Sequence, residues 1–124
     1  MRMKIYASIP YSSPLQFYQL LQTSYSSYTA AHDVHQDKVT ANGANWHWSA
    51  ANDLAEDNLV VVGTFKGSAQ DFEAALRQFK QAMDDQQMVY LLEYEVPTTY
   101  GYASHYLEHP DYSLRVKERV SVIA

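Results

Sequence analysis

The chain contains no cysteine. That absence excludes disulfide bonds, thiol chemistry and metal sites built from thiolates. No apolar run approaches the roughly 20 residues that a membrane-spanning helix needs. The first residues, Met1 to Lys4, lead directly into a strand pattern and lack the apolar stretch of a signal peptide. These absences predict a cytoplasmic protein with no membrane segment and no bound cofactor.

Basic charge is also scarce. Nine lysines and arginines stand against 14 aspartates and glutamates, so the net charge is −5. A protein that binds the phosphate backbone of nucleic acids needs a basic face. The basic cluster of Arg115, Lys117 and Arg119 has the spacing of one face of a strand, which is typical of a solvated edge strand. The composition therefore argues against nucleic acid as the partner.

Motifs for nucleophilic catalysis and phosphate binding are missing as well. The chain has no Gly-x-Ser-x-Gly turn. Between Gly63 and Ser68 the lysine precedes the second glycine, which is not the order of a phosphate-binding loop. We therefore name no catalytic residue and favour a binding protein over an enzyme, with the enzyme kept as the alternative.

The 124 residues, of which 47% are hydrophobic, suffice for one domain spanning residues 1–124. Its most regular stretch runs from Asn58 to Val96. A β-branched strand, Leu59 to Phe65, is followed by Ser68 and Asp71 in the spacing of a helix cap. The next apolar residues recur at helical spacing: Phe72, Ala75, Leu76, Phe79 and Met83. A second strand is predicted over Met88 to Val96.

The N-terminal part predicts a strand over Lys4 to Ile9 and then a helix from Pro14 to about Tyr28. Ser13 caps this helix and Gln16 reaches back to the cap. The expected buried stripe is rich in tyrosine, with two leucines beside it: Tyr18, Leu21, Tyr25 and Tyr28, flanked by Leu15 and Leu20.

The middle of the chain predicts a loop from Thr29 to Asp37, a short strand over Lys38 to Ala41, and a hairpin turn at Asn42-Gly43. Strict alternation over Asn45 to Ala51 then predicts a strand. Its Trp46 and Trp48 point toward the core and His47 points away.

The C-terminal part predicts that Pro97 ends the strand pairing and that Thr98 to Tyr112 forms a long loop rich in tyrosine. Ser104 would cap a single helical turn within it. Alternation from Leu114 to Val122 predicts a final strand with a basic face.

Together these elements predict an α+β fold whose order β-α-β-β-α-β resembles the ferredoxin-like split βαβ arrangement. Both helices would cover one face of a mainly antiparallel sheet. The C-terminal strand would be an addition to this pattern, and Lys38 to Ala41 offers an optional extra hairpin strand. The resemblance concerns element order alone, and this fold hosts many functions.

Tyrosine is the compositional outlier, with 11 residues. Tyrosines supply binding area at low entropic cost. We therefore expect a small binding or protein-interaction module that forms homodimers or binds another protein, with a small-molecule ligand as a further option. The candidate binding residues are those of the tyrosine-rich loop and the outward histidine: Tyr100, Tyr102, His105, Tyr106, Tyr112 and His47.

Two alternatives use the histidines. In the first, a pocket on the sheet face uses His47 or His105 as an acid or base. In the second, the pairs His32/His35 and His105/His109 converge on one metal ion. Because two weak spacings do not make a strong motif, we assign no metal ligand.

Overall fold

The computed structural model describes residues 2–24, 29–53 and 57–114. It is an α+β fold built on one seven-stranded sheet in the order β2-β3-β4-β5-β1-β6-β7. Every pair of neighbouring strands is antiparallel. The elements, in chain order, are β1 (Arg2–Pro10), α1 (Pro14–Ser24), β2 (Thr29–Asp33), β3 (Lys38–Asn42), β4 (Trp46–Asp53), β5 (Asn58–Lys66), α2 (Ala69–Asp85), β6 (Leu91–Thr98) and β7 (Gly101–Glu108). Residues 112–114 form a third helical segment at the end of the described range.

Both long helices cover the same face of the sheet, as predicted. Trp46 and Trp48 are buried on β4 and stack with ring centroids 4.4 Å apart. Trp48 lies 6.0 Å from Phe17 of α1 and 4.6 Å from Phe79 of α2. The two helices and the sheet therefore share one aromatic core.

The predicted helix caps are confirmed. The Ser13 amide donates to Gln16 Oε1 at 2.7 Å, and the Gln16 amide donates to Ser13 Oγ at 3.2 Å. At α2, the Ser68 side chain accepts a hydrogen bond from the Asp71 amide at 3.1 Å. Each cap satisfies an amide that the first turn of a helix leaves without a partner.

The predicted stripe of α1 is only partly right. Leu20 and Leu21 are buried, but so is Phe17, which the tyrosine-based stripe omitted. Leu15 is 47% exposed. Residues 25–28, which include two of the predicted stripe residues, lie outside the described part of the chain. The stripe is set by the position of Trp48, because Phe17 is the α1 residue that meets its ring.

The expected loop over Thr29 to Asp37 is wrong in its first half, where Thr29–Asp33 forms edge strand β2 and pairs with β3. The predicted hairpin between β3 and β4 is confirmed, and β4 also pairs antiparallel with β5. Strand β2 was missed because its residues are small or polar and show no hydrophobic alternation. Pairing with the well-defined β3 organises the strand instead.

The expected loop from Thr98 to Tyr112 is also wrong, since Gly101–Glu108 forms edge strand β7 beside β6. Ser104 therefore caps no helix. Pro97 does not end the pairing either, because it lies opposite Tyr102. Proline is tolerated there because the β1 pairing on the other side of β6 stops at Glu95, so no amide is needed at position 97 on that side.

The predicted C-terminal strand was expected to begin at Leu114, but Leu114 is helical. The rest of that predicted strand lies outside the described residues. Within the described part of the chain, no helix is both long and apolar enough to cross a membrane.

Gly63 is a position where the core tolerates no side chain. A Cβ built there would lie 2.4 Å from Trp48 Cζ3 and 2.8 Å from Ile5 Cγ2. We expect Gly63→Ala to lower the free energy of unfolding by about 1–3 kcal/mol, since overpacking forces rigid neighbours to move. Chemical denaturation measures this change. The same substitution in a Trp48→Phe background should be less damaging, and an equal loss in both backgrounds would contradict the proposed clash.

Tyr90 gives a pH-dependent prediction. The side chain is buried. This burial, the negative charge of Asp84 and a hydrogen bond with Asp84 together raise the pKa of Tyr90 to about 12. Because the folded protein holds this proton more tightly, the resulting stabilisation is complete below pH 10 and is lost as the pH rises toward 12. It amounts to roughly 2–3 kcal/mol at most. Denaturation curves at pH 9 and pH 11.5 should show a smaller loss for Tyr90→Phe than for the parent chain, and parallel losses would rule the effect out.

Candidate functional site on the open sheet face

The strongest candidate is the sheet face that the described helices leave uncovered, which we call the open face. It consists of the side chains that alternate with the buried ones along each strand. Its centre is formed by Tyr6 of β1, Val60 and Val62 of β5, and Leu91 of β6, which the strand registers place side by side. Val60 is 38% exposed. An apolar sheet centre that faces solvent marks a candidate interaction site.

Charges of opposite sign border this centre in separate groups. Arg2 and Lys4 project from β1 and Lys66 from β5, whereas Glu93 and Glu95 project from β6. The only ion pair within 4 Å between described residues joins His32 and Asp37, at 3.1 Å. These five charged side chains are therefore not engaged in ion pairs within the described part of the chain.

Three predicted binding tyrosines lie on the open face. Tyr102 and Tyr106 alternate along β7 and are 66% and 67% exposed. The Tyr106 hydroxyl donates to Glu93 Oε1 at 3.4 Å. The Tyr112 hydroxyl oxygen lies 3.5 Å from Ser8 Oγ, which also hydrogen-bonds to Asn58. The edge strand β7 and the helical residues 112–114 therefore add an aromatic border to the apolar centre.

Two other predicted residues do not join this group. Tyr100 lies in the turn between β6 and β7 and is almost fully exposed. His105 projects from the helix-covered side of β7, where it stacks on Tyr94 with ring centroids 5.2 Å apart. The predicted set of binding residues is thus divided between two faces and a turn.

His47 lies on the open face, as predicted for the outward position of β4. Its Nδ1 is 2.6 Å from Asn42 Oδ1. Because an amide oxygen only accepts hydrogen bonds, Nδ1 carries the proton and Nε2 faces away from this contact. His47 borders a shallow depression of about 400 Å³ at the end of the face.

The histidine pairs considered for metal binding lie at opposite edges of the sheet. His32 belongs to β2, and His105 belongs to β7. His109 follows β7 and packs edge-on against Tyr90 at 5.3 Å. Among the described residues, no group of three or more histidine, aspartate or glutamate side chains is arranged to hold a metal ion. The structure therefore does not bring the four histidines together.

Sequence reasoning missed the residues at the centre of the face. The alternation of Lys4, Tyr6 and Ser8 with buried residues of β1 was a usable signal for the open side. Val60 and Val62 gave none, because β5 is apolar on both sides and hydropathy does not tell its faces apart. Only pairing with β1 and β4 assigns these two valines to the open face.

Comparisons with protein-family models, curated proteins and solved structures find no match to this chain. The geometry of the open face is therefore the basis on which a function is proposed.

Proposed function

We propose that the protein is a small cytoplasmic binding module that forms a homodimer through the open face. The observation that carries the proposal is the apolar centre around Val60 and Val62, which no described helix covers. Packing a second sheet face to face on such a surface would bury it, as the two sheets of a β-sandwich bury their inner faces.

The face is large enough for a stable interface. Seven strands spaced about 4.8 Å apart span roughly 29 Å, and the central strands are of comparable length. The resulting surface is on the order of 800 Å², which matches the area that each partner buries in a typical stable complex. The exposed rings of Tyr102 and Tyr106 add side chains that are favoured at interfaces.

The charges favour a second copy as the partner. A two-fold axis makes an isologous interface, in which residue i contacts j and j contacts i. An axis parallel to the strands, between β1 and β6, brings Lys4 of each subunit onto Glu95 of the other, because these residues lie opposite each other across that line. The basic and acidic groups thus complement each other between copies.

The architecture fits this role. We propose that strands β4, β5, β1 and β6 form a ferredoxin-like unit with the two long helices. The support for this is that β5 and β6 both pair antiparallel with β1 and that α2 connects them. On this interpretation the β2-β3 hairpin and β7 are additions that widen the sheet at both edges. They enlarge the face that the dimer would bury.

A charge at the centre of the face tests the interface. We expect Val60→Glu to convert the dimer to a monomer, because each interface would bury two unpaired carboxylates. Light scattering coupled to size-exclusion chromatography measures the mass. Val34→Glu is the matched control, since Val34 is 76% exposed in the turn after β2. A Val60→Glu variant that remains dimeric with unchanged melting temperature, or a parent chain that is monomeric at millimolar concentration, would contradict the proposal.

Complementary charge variants test the axis. Lys4→Glu alone and Glu95→Lys alone each place like charges opposite one another between subunits, and we expect dimerisation at least about tenfold weaker for each. An equimolar mixture should restore dimers, because position 4 of one variant then meets the opposite charge at position 95 of the other. Within each variant subunit, positions 4 and 95 still carry like charges side by side. Restored dimerisation in the mixture therefore reports contacts between subunits alone. Failure of the mixture to associate would exclude this axis.

Truncation separates the open face from a second possible interface, the C-terminal segment. If the apolar centre of the open face carries the contact, a chain ending after Asp111 should stay dimeric although it loses Tyr112 from the border of the face, and Val60→Glu should still dissociate it. Loss of dimers on truncation, with no effect of Val60→Glu, would assign the interface to the C-terminal segment instead.

A further inference from the structure

The depression beside His47 is rich in hydrogen-bond donors and free of acidic side chains. It lies where the β3-β4 turn meets the ends of β5 and β1, and it has a volume of about 400 Å³. Its lining residues include two cations, a histidine, two asparagines and a threonine: Arg2, Lys66, His47, Asn42, Asn45 and Thr64. The chain has a net charge of −5, whereas the lining of this depression carries two positive charges and no negative one.

The two cations lie directly opposite each other on neighbouring strands, because Arg2 of β1 pairs with Lys66 of β5. Like charges that lie directly opposite each other on neighbouring strands destabilise a sheet. Neither side chain forms an ion pair with a carboxylate of the described residues. An anion held between them would relieve this repulsion.

The neighbouring polar groups are fixed by the fold. Asn42 lies opposite His47 across the β3-β4 pair, and His47 lies opposite Thr64 across the β4-β5 pair. The hydrogen bond of 2.6 Å between His47 Nδ1 and Asn42 Oδ1 holds the imidazole in place beside the two cations. The Thr64 hydroxyl and the Asn42 amide nitrogen are uncharged donors within the same lining.

From this arrangement we infer that the depression binds the oxyanion group, phosphate or carboxylate, of a small molecule. Arginine offers a planar fork that matches both groups, and lysine adds a point charge. A nucleic acid is not the ligand, because such partners require a basic stripe that follows the backbone and this site is a single spot. The inference goes beyond the proposed dimer, since the depression lies at the end of the open face, away from its apolar centre.

Titration with inorganic phosphate, and separately with acetate, tests the site at constant ionic strength maintained with sodium chloride. Amide chemical shifts in ¹H–¹⁵N spectra of the full chain report binding. We expect saturable shifts at residue 2, residues 42–47 and residues 64–66. Lys66→Gln and Arg2→Gln should each weaken binding at least fivefold. Lys80→Gln removes the same charge from an exposed position on α2 and should leave the affinity unchanged.

Each outcome has a defined meaning. Saturation by phosphate alone assigns the site to phosphate-bearing ligands, and saturation by acetate alone assigns it to carboxylates. Shifts that scatter over the surface, or that respond equally to Lys66→Gln and Lys80→Gln, overturn the inference, as does the absence of saturation by either ion at 100 mM. The Val60→Glu variant should retain binding, so that failure of the dimer and failure of the anion site are observed separately.

Discussion

The contact between Trp48 and Gly63 determines how the rest of the protein packs. A large ring lies flat over β5 only because the residue opposite it has no side chain, and even a single added carbon would lie 2.4 Å from that ring. From this position the ring meets Trp46, Phe79 and Phe17, which joins the sheet to both helices. Its indole nitrogen is buried without a hydrogen-bond partner among the described residues. Aromatic packing rather than a polar contact therefore fixes the ring in place.

The same contact decides what remains on the other side of the sheet. Because side chains alternate, fixing Trp48 and Gly63 on the covered face places Val62, Thr64 and His47 on the open one. Both long helices pack on the aromatic core of the covered face. Val60 and Val62 of β5 therefore have no described layer packed on them. The proposed dimer and the donor-rich depression both follow from this division, one at the centre of the face and the other at its end.

Much of this could be read from the sequence where two signals agreed. Both helix starts were predicted because capping residues preceded an apolar stripe, and the inward tryptophans followed from strict alternation on β4. Strand β7 was missed because tyrosine suits either side of a sheet. Tyr102 and Tyr106 face solvent while His105 packs on Tyr94, so hydropathy shows no period of two. Without a strand assignment, the candidates Tyr100, Tyr102, His105, Tyr106 and Tyr112 could not be divided between faces, and the apolar centre was not found.

Edge pairing is the main competitor of face packing as a way to associate, and the strand lengths argue against it. The outer strand on one side, β2, has five residues, and such short edges are a common protection against pairing with another chain. On the other side, β7 is eight residues long, but its Tyr102 and Tyr106 direct their ring area onto the open face rather than along the edge. The proposed face-packed dimer would use this ring area together with the valines, and the charges of β1 and β6 would set its orientation. In such a dimer, affinity would depend on the apolar centre and specificity on the charges around it, a division that electrostatic complementarity commonly produces at interfaces.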